Sequence, residues 1–223
     1  MSKKIPLGTE KTYGAELLFQ GAFFALEQAG QLLNDAALLF ENRRWASAAV
    51  LSVFSLEELG KSDILIDQTK RSLAGHSVTC SMLKNTFEKH EAKLKRGRSR
   101  DTIISGRAFI VDTETLEFEA HEKETATEGH RELKRAPSKM HAQRKASLYV
   151  TLTPEQDWSR PKSTQPRDAY SLISSTVVEY GKRRGKFVRR EYPALKQLFE
   201  RYERWLQALP EPASIRVPDP VGS

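Results

Sequence analysis

With 223 residues, 39% of them hydrophobic, the chain can bury one sizeable core or two small ones. A net charge of +7 points to an anionic partner, nucleic acid first, although many soluble proteins are mildly basic. The one cysteine, Cys80, excludes an intrachain disulfide and a cysteine metal cluster, and suits a reducing cytosol.

The opening MSKKIPLGTEK has no apolar signal core. The longest uncharged apolar run, Leu17 to Leu26, is too short to span a bilayer, so the expectation is a cytoplasmic protein without a membrane partner. Thr9 or Thr12 is a candidate cap for a helix over about Lys11 to Asn42, on which Leu18, Ala22, Ala25, Ala29, Leu32, Leu33, Ala36, Leu39 and Phe40 recur at helical spacing. Gly30 is a point at which that helix kinks or divides. After the short break Asn42-Arg43-Arg44, a second helix runs from Arg44 to Gln68, and the two form an antiparallel hairpin.

The second helix is apolar on most of its circumference, with a narrow polar strip at Ser52, Ser55 and Asp63. Glu57, Glu58 and Lys61 share an apolar sector with Val50, Phe54 and Leu65. A third helix over about Ser81 to Arg96 carries the stripe Leu83, Phe87, His90, Leu94, and leaves through the basic residues Lys95, Arg96 and Arg98. Residues 101–137 form an acidic insertion, in which Arg107–Asp112 and Leu116–His121 alternate as the strands of a small β-hairpin. A short helix over Ser138–Ser147, an extended Leu148–Val150 and a loop over Thr153–Pro166 follow. Asp168 then caps a helix stopped at Gly181, and a second basic run holds Arg183 and Arg184. The last helix starts near Tyr192 and ends near Leu206, and the proline-rich tail from Pro210 is expected to be disordered.

A desolvated carboxylate needs a cation. Glu57 and Lys61 stand at the favourable i,i+4 spacing, which by itself describes an ordinary surface salt bridge. Their apolar neighbours argue instead for a cluster in which His90 and Lys93 of the third helix supply charge to Glu57 or Glu58. Such a cluster is as readily a structural network as a catalytic one.

Several of these residues also resemble a known family. Ser55-Leu56-Glu57-Glu58-Leu59-Gly60-Lys61 at the end of an alanine-rich helix, Lys89-His90-Glu91-Ala92-Lys93, and Arg144-Lys145 with Leu148-Tyr149-Val150 resemble the abortive-infection AbiV group of the HEPN superfamily. The likeness spans about residues 15–152, with little in the acidic insertion or the C-terminal third. It implies an all-α, HEPN-like helical bundle, with that small acidic insertion and additional C-terminal helices. The resulting division is a helical domain over 1–152, a helical extension over 153–209 and a tail over 210–223. It also implies a homodimer acting in anti-phage defence, as a toxin that shuts down translation through RNA or the ribosome, with a phage-encoded protein as trigger. The usual HEPN nuclease signature is an arginine followed a few residues later by a histidine. Arg71 to His76 and Arg135 to His141 fit that spacing, the second interrupted by Pro137.

The chemistry implied is metal-independent RNA cleavage by the ribose 2′-hydroxyl, which needs a proton acceptor and a cation for the phosphorane. His90 tuned by Glu58, with Glu57 beside it, is the first candidate acid or base, and His141 the rival. Lys93, Lys61 or Arg144 would hold the phosphate. Tyr149 either stacks on a base or packs. Lys95, Arg96, Arg98, Lys145, Arg183 and Arg184 would contact backbone phosphates. No metal and no cofactor is assigned. The alternative is a non-catalytic protein that blocks translation by binding RNA, the ribosome or a phage protein, the charged cluster then only holding the bundle together.

Overall fold

Small residues on facing sides of two long helices set the frame of the molecule. The structure, a computed structural model, describes residues 11–97, 151–152, 158–159 and 164–218. α1 (Ala15–Glu41) and α2 (Trp45–Leu73) form the expected antiparallel hairpin. The turn is tight because Arg43 takes a left-handed conformation (φ 57°), so that Arg44 N–H donates to the Leu39 carbonyl at 2.8 Å. α1 is uninterrupted, and neither threonine caps it. Its N-cap is Gly14, while Thr12 bridges to Thr79, with Tyr13 N–H donating to the Val78 carbonyl at 2.8 Å.

The strip at Ser52, Ser55 and Asp63 is not a solvated face. Ser52 and Ser55 are fully buried, and Ser55 and Ser62 donate their hydroxyls to the α1 carbonyls of Ala29 and Ala22, each at 2.8 Å. A serine that bonds a facing carbonyl packs like an alanine, which is why helical periodicity misreads it. α2 is the hub, touching α1, the short helix that carries His90, and the long C-terminal helix.

The expected third helix is two. α3 (Cys80–Phe87) starts on Thr79, whose hydroxyl accepts from Met82 N–H at 3.5 Å, and α4 (His90–Gly97) restarts after a break at Glu88-Lys89. The sequence pattern is continuous there, so contacts of α4 with α2 outweigh local propensity. A two-residue antiparallel pair joins β1 (Thr151–Leu152), just before the stretch read as a loop, to β2 (Trp158–Ser159) inside it. The hairpin at 107–121, the helix at 138–147 and the extended segment at 148–150 lie outside the described residues.

α5 (Pro166–Val188) has Gln165 rather than Asp168 at its N-cap and runs through Gly181 to the end of the basic stretch. Its Ala169, Ile173, Tyr180 and Phe187 belong to the same core as α1 and α2. The last expected helix is broken into a 3-10 turn (Pro193–Leu195), α6 (Lys196–Arg201) and α7 (Glu203–Leu206). Aromatic contacts hold this segment on α1: Phe19 meets Phe199 edge-on at 5.0 Å, and Trp205 lies 5.4 Å from Phe23.

The tail is docked as far as it is described. Leu209 and Ile215 are buried, and Tyr180 O–H donates to the Pro210 carbonyl at 2.8 Å. Prolines preset the 3-10 turn Pro212–Ser214 between those two aliphatic anchors, so the composition that suggested disorder instead shapes a fitted strap. Gly30 makes room for it. A Cβ there would lie 2.7 Å from the Tyr180 hydroxyl and 2.9 Å from Pro210, which explains this glycine without a kink.

Among the described tyrosines, Tyr180 and Tyr192 sit where burial opposes ionisation. Burial holds the Tyr180 phenol above the usual tyrosine range, and burial with the charge of Asp63 pushes Tyr192 up to about 12. A folded-state value above the unfolded one of 10.0 means that this contribution to stability is complete below that pH and is lost as pH rises toward 12. Tyrosinate absorbance during an alkaline titration should therefore appear in two steps. The late step, two tyrosines, should coincide with loss of helical circular dichroism. Smooth titration of every tyrosine before any unfolding would contradict this packing.

Candidate active site

Glycines bring the site together. α4 lies on α2 backbone to backbone: a Cβ on Gly60 would fall 2.0 Å from the Lys93 carbonyl oxygen, and one on Gly97 would fall 2.1 Å from that of Leu56. No side chain fits at either position. At each contact a bare glycine on one helix faces a carbonyl of the other, and α4 sets its charged residues against those of α2.

The contact delivers an imidazole and an ammonium to one carboxylate. Glu57 Oε2 accepts from His90 Nδ1 at 2.8 Å and lies 3.2 Å from Lys93 Nζ. The Glu57 side chain is 6% exposed and that of Lys93 5%, whereas His90 is 44% exposed. An ionised carboxylate only accepts, so it fixes Nδ1 as a protonated nitrogen and sets the plane of the ring. Glu57 is thus a buried anion that orients a half-exposed imidazole, and Lys93 offsets its charge.

The pairing differs from the expected one in two respects. His90 is held by Glu57, not by Glu58, and Lys61 pairs with Glu58 at 2.5 Å across i,i+3, not with Glu57 across i,i+4. Glu58 and Lys61 are each partly exposed beside the cluster. The buried position of Lys93 removes it from the phosphate-contact role and leaves Lys61 better placed for it.

Among the basic residues, Lys95 and Arg96 are exposed in the last turn of α4, with Arg96 bonded to Asp67 at 2.7 Å. Arg183 overturns its expected role at the surface. It is buried and ion-paired to Asp63 at 2.9 Å and Glu179 at 2.6 Å, because α5 turns that side of its basic run inward. Arg184 pairs with Glu211 of the docked tail. Arg98, His141, Arg144, Lys145 and Tyr149 lie outside the described residues. Sequence reasoning missed Gly60 and Gly97 as contact points, and Asp63 and Glu179 as partners of Arg183. The i,i+4 spacing of Glu179 and Arg183 was the one available signal for the last pair. Among the described residues no group of His, Cys, Asp or Glu is arranged to hold a metal, and no helix is long and apolar enough to cross a membrane.

The sequence profile of the HEPN-class AbiV proteins matches residues 18–181. The chain belongs to the AbiV family. The match runs beyond the expected residues 15–152 and takes in α5 as far as residue 181. It covers both elements of the site, the Glu57-Glu58-Leu59-Gly60-Lys61 segment and the α4 helix laid upon it. Membership points to an abortive-infection, HEPN-type function. No curated protein and no solved structure matches the chain.

Proposed function

We propose that this AbiV protein is an abortive-infection effector that shuts down translation by cleaving RNA without a metal, with His90 as the acid–base group. The observation that carries this reading is the asymmetry of the cluster, a buried Glu57 holding the Nδ1 of an imidazole that is half open to solvent. Carboxylate orientation of an imidazole is one arrangement that general acid–base catalysis uses. In the reaction, His90 takes the proton of the ribose 2′-hydroxyl and the 2′-oxygen attacks the adjacent phosphorus. The 5′-oxygen leaves with its bonding electron pair and takes a proton from water, His90 returning its own proton to solvent, giving a 2′,3′-cyclic phosphate and a 5′-hydroxyl. Lys61 and the exposed Lys95 and Arg96 are candidate cations for the phosphate charge.

A second reading is favoured by the fact that Glu57 and Lys93 already neutralise each other in the interior, as a purely structural pair would. The protein would then bind RNA or the ribosome without cutting. Incubation of the purified protein with total bacterial RNA separates the two. Cleavage that persists in EDTA and falls about 100-fold or more in a folded His90→Ala variant is expected. Intact RNA throughout, with RNA retained by the protein, would favour the binding reading.

A further inference from the structure

The acid–base cluster leaves one buried group of ions unused. The Arg183 guanidinium, on α5, reaches three helices. Its Nε and Nη2 donate to Asp63 Oδ2 of α2 at 3.0 and 2.9 Å. Nη1 donates to Glu179 of α5 itself, to Oε2 at 2.6 Å and to the carbonyl at 3.1 Å. Nη2 also donates to the Arg96 carbonyl at 2.8 Å, in the last turn of α4. Lys182 approaches Glu179 at 3.5 Å and shares its charge.

We propose that Arg183 is a positioning residue for His90: by tying the C-terminal turn of α4 to Asp63 of α2, it fixes where α4 presents His90 to Glu57. The proposal rests on the reading of His90 as the acid–base group. Three observations carry it. First, α4 is a short helix whose one fully buried apolar side chain is Leu94, and a helix of that length does not hold itself in water. Second, the carbonyls of its last turn have no partner within the helix, and Arg183 supplies a donor to one of them. Third, Asp63 and Arg96 lie about 9 Å along their helices from Glu57 and His90, at ~1.5 Å per residue. The Gly60–Lys93 contact falls between these two ends, and Gly97, just past Arg96, is set against the Leu56 carbonyl. α4 is therefore held at both ends, by Glu57 at its start and by Arg183 at its finish. Burial works against the charge on Arg183, yet Asp63 and Glu179 outweigh it and keep the guanidinium ionised. Only a planar fork with five donors serves three partners in this way, and a lysine ammonium would not.

The test uses the full chain with Arg183→Lys and, separately, Asp63→Asn. Hydrogen exchange over residues 90–97 is followed together with the imidazole N–H resonance of His90. Expected in at least one variant is exchange in α4 about 10-fold faster, with α1, α2 and α5 still protected. In that variant the hydrogen-bonded Nδ1–H signal of His90 should be lost, and kcat for RNA should fall about 10-fold at a KM within about twofold of the parent. Unchanged exchange and an unchanged His90 signal in both variants would overturn the proposal. So would loss of protection across all helices together in both, which would make Arg183 a general support of the fold. If the parent protein cuts no RNA, exchange and the His90 signal still decide the role of Arg183, so the two readings fail separately.

Discussion

Gly60→Ala is expected to detach α4 from α2 and to lower RNA cleavage about 100-fold or more, while the α1–α2 hairpin survives. The new Cβ would fall 2.0 Å from the Lys93 carbonyl oxygen and 2.9 Å from its Cα. Those are backbone atoms, so the clash cannot be relieved by a rotamer change, and α4 must move as a body. Overpacking of a fitted interface costs about 1–3 kcal/mol, more where backbone is the obstacle. α4 has little with which to resist: Leu94 is its one fully buried apolar side chain, and its remaining anchors are the ions at its two ends. Those bonds depend on distance and are lost as the helix shifts. The control is Gly14→Ala, where nothing lies within 4 Å and φ is −73°, so only a small loss at the α1 N-cap is expected. Hydrogen exchange should show fast amides over residues 90–97 in Gly60→Ala and an unaltered pattern in Gly14→Ala. Equal activity in the two variants would show that the close approach of α4 to α2 is not what assembles the site.

The same contact shows how far a sequence can be read. Helix periodicity gave α1, α2 and their hairpin, because a long apolar stripe with a short polar break has few other solutions. It also put Glu57, Lys61, His90 and Lys93 in one neighbourhood, since a carboxylate on an apolar face must find a cation. Which cation meets which carboxylate was not legible. Glu57 and Glu58 differ by about 100° on the wheel of α2, and that wheel says nothing of where α4 sits around it. The choice between them is made by the break at Glu88-Lys89 and by Gly60 and Gly97, which fix the depth and rotation of α4. A glycine inside a helix usually reads as a weakness, and only a partner's backbone reveals its use. Arg183 failed for a related reason. Within a run of basic residues nothing marks the one that faces inward, and the carboxylate that claims it, Asp63, lies on a helix distant in sequence. The tail failed because composition describes what a segment does alone, whereas Leu209 and Ile215 find an apolar surface already built by α1 and α5.

Glu57→Leu alone should destabilise the protein by about 3–5 kcal/mol, and pairing it with Lys93→Met should return most of that loss without returning activity. The single variant strands the Lys93 ammonium, 5% exposed, without the carboxylate now 3.2 Å away. The double variant leaves no charge of this pair in the interior, and two apolar side chains of similar volume are about as stable as the ions they replace. His90 has a different fate. Its half-exposed ring regains water in either variant, so it adds little to the stability change, but it loses the acceptor that set its Nδ1 and its plane. Denaturation midpoints at constant m-value measure the first effect, and RNA cleavage by the same preparations measures the second. Recovered stability with cleavage still down about 100-fold identifies Glu57 as the group that orients a catalytic imidazole. Recovery of both would make the pair a structural tie, and would move the function to a surface that binds without cutting. Stability and activity are read from one substitution pair, so a loss of function through unfolding cannot be mistaken for loss of the site.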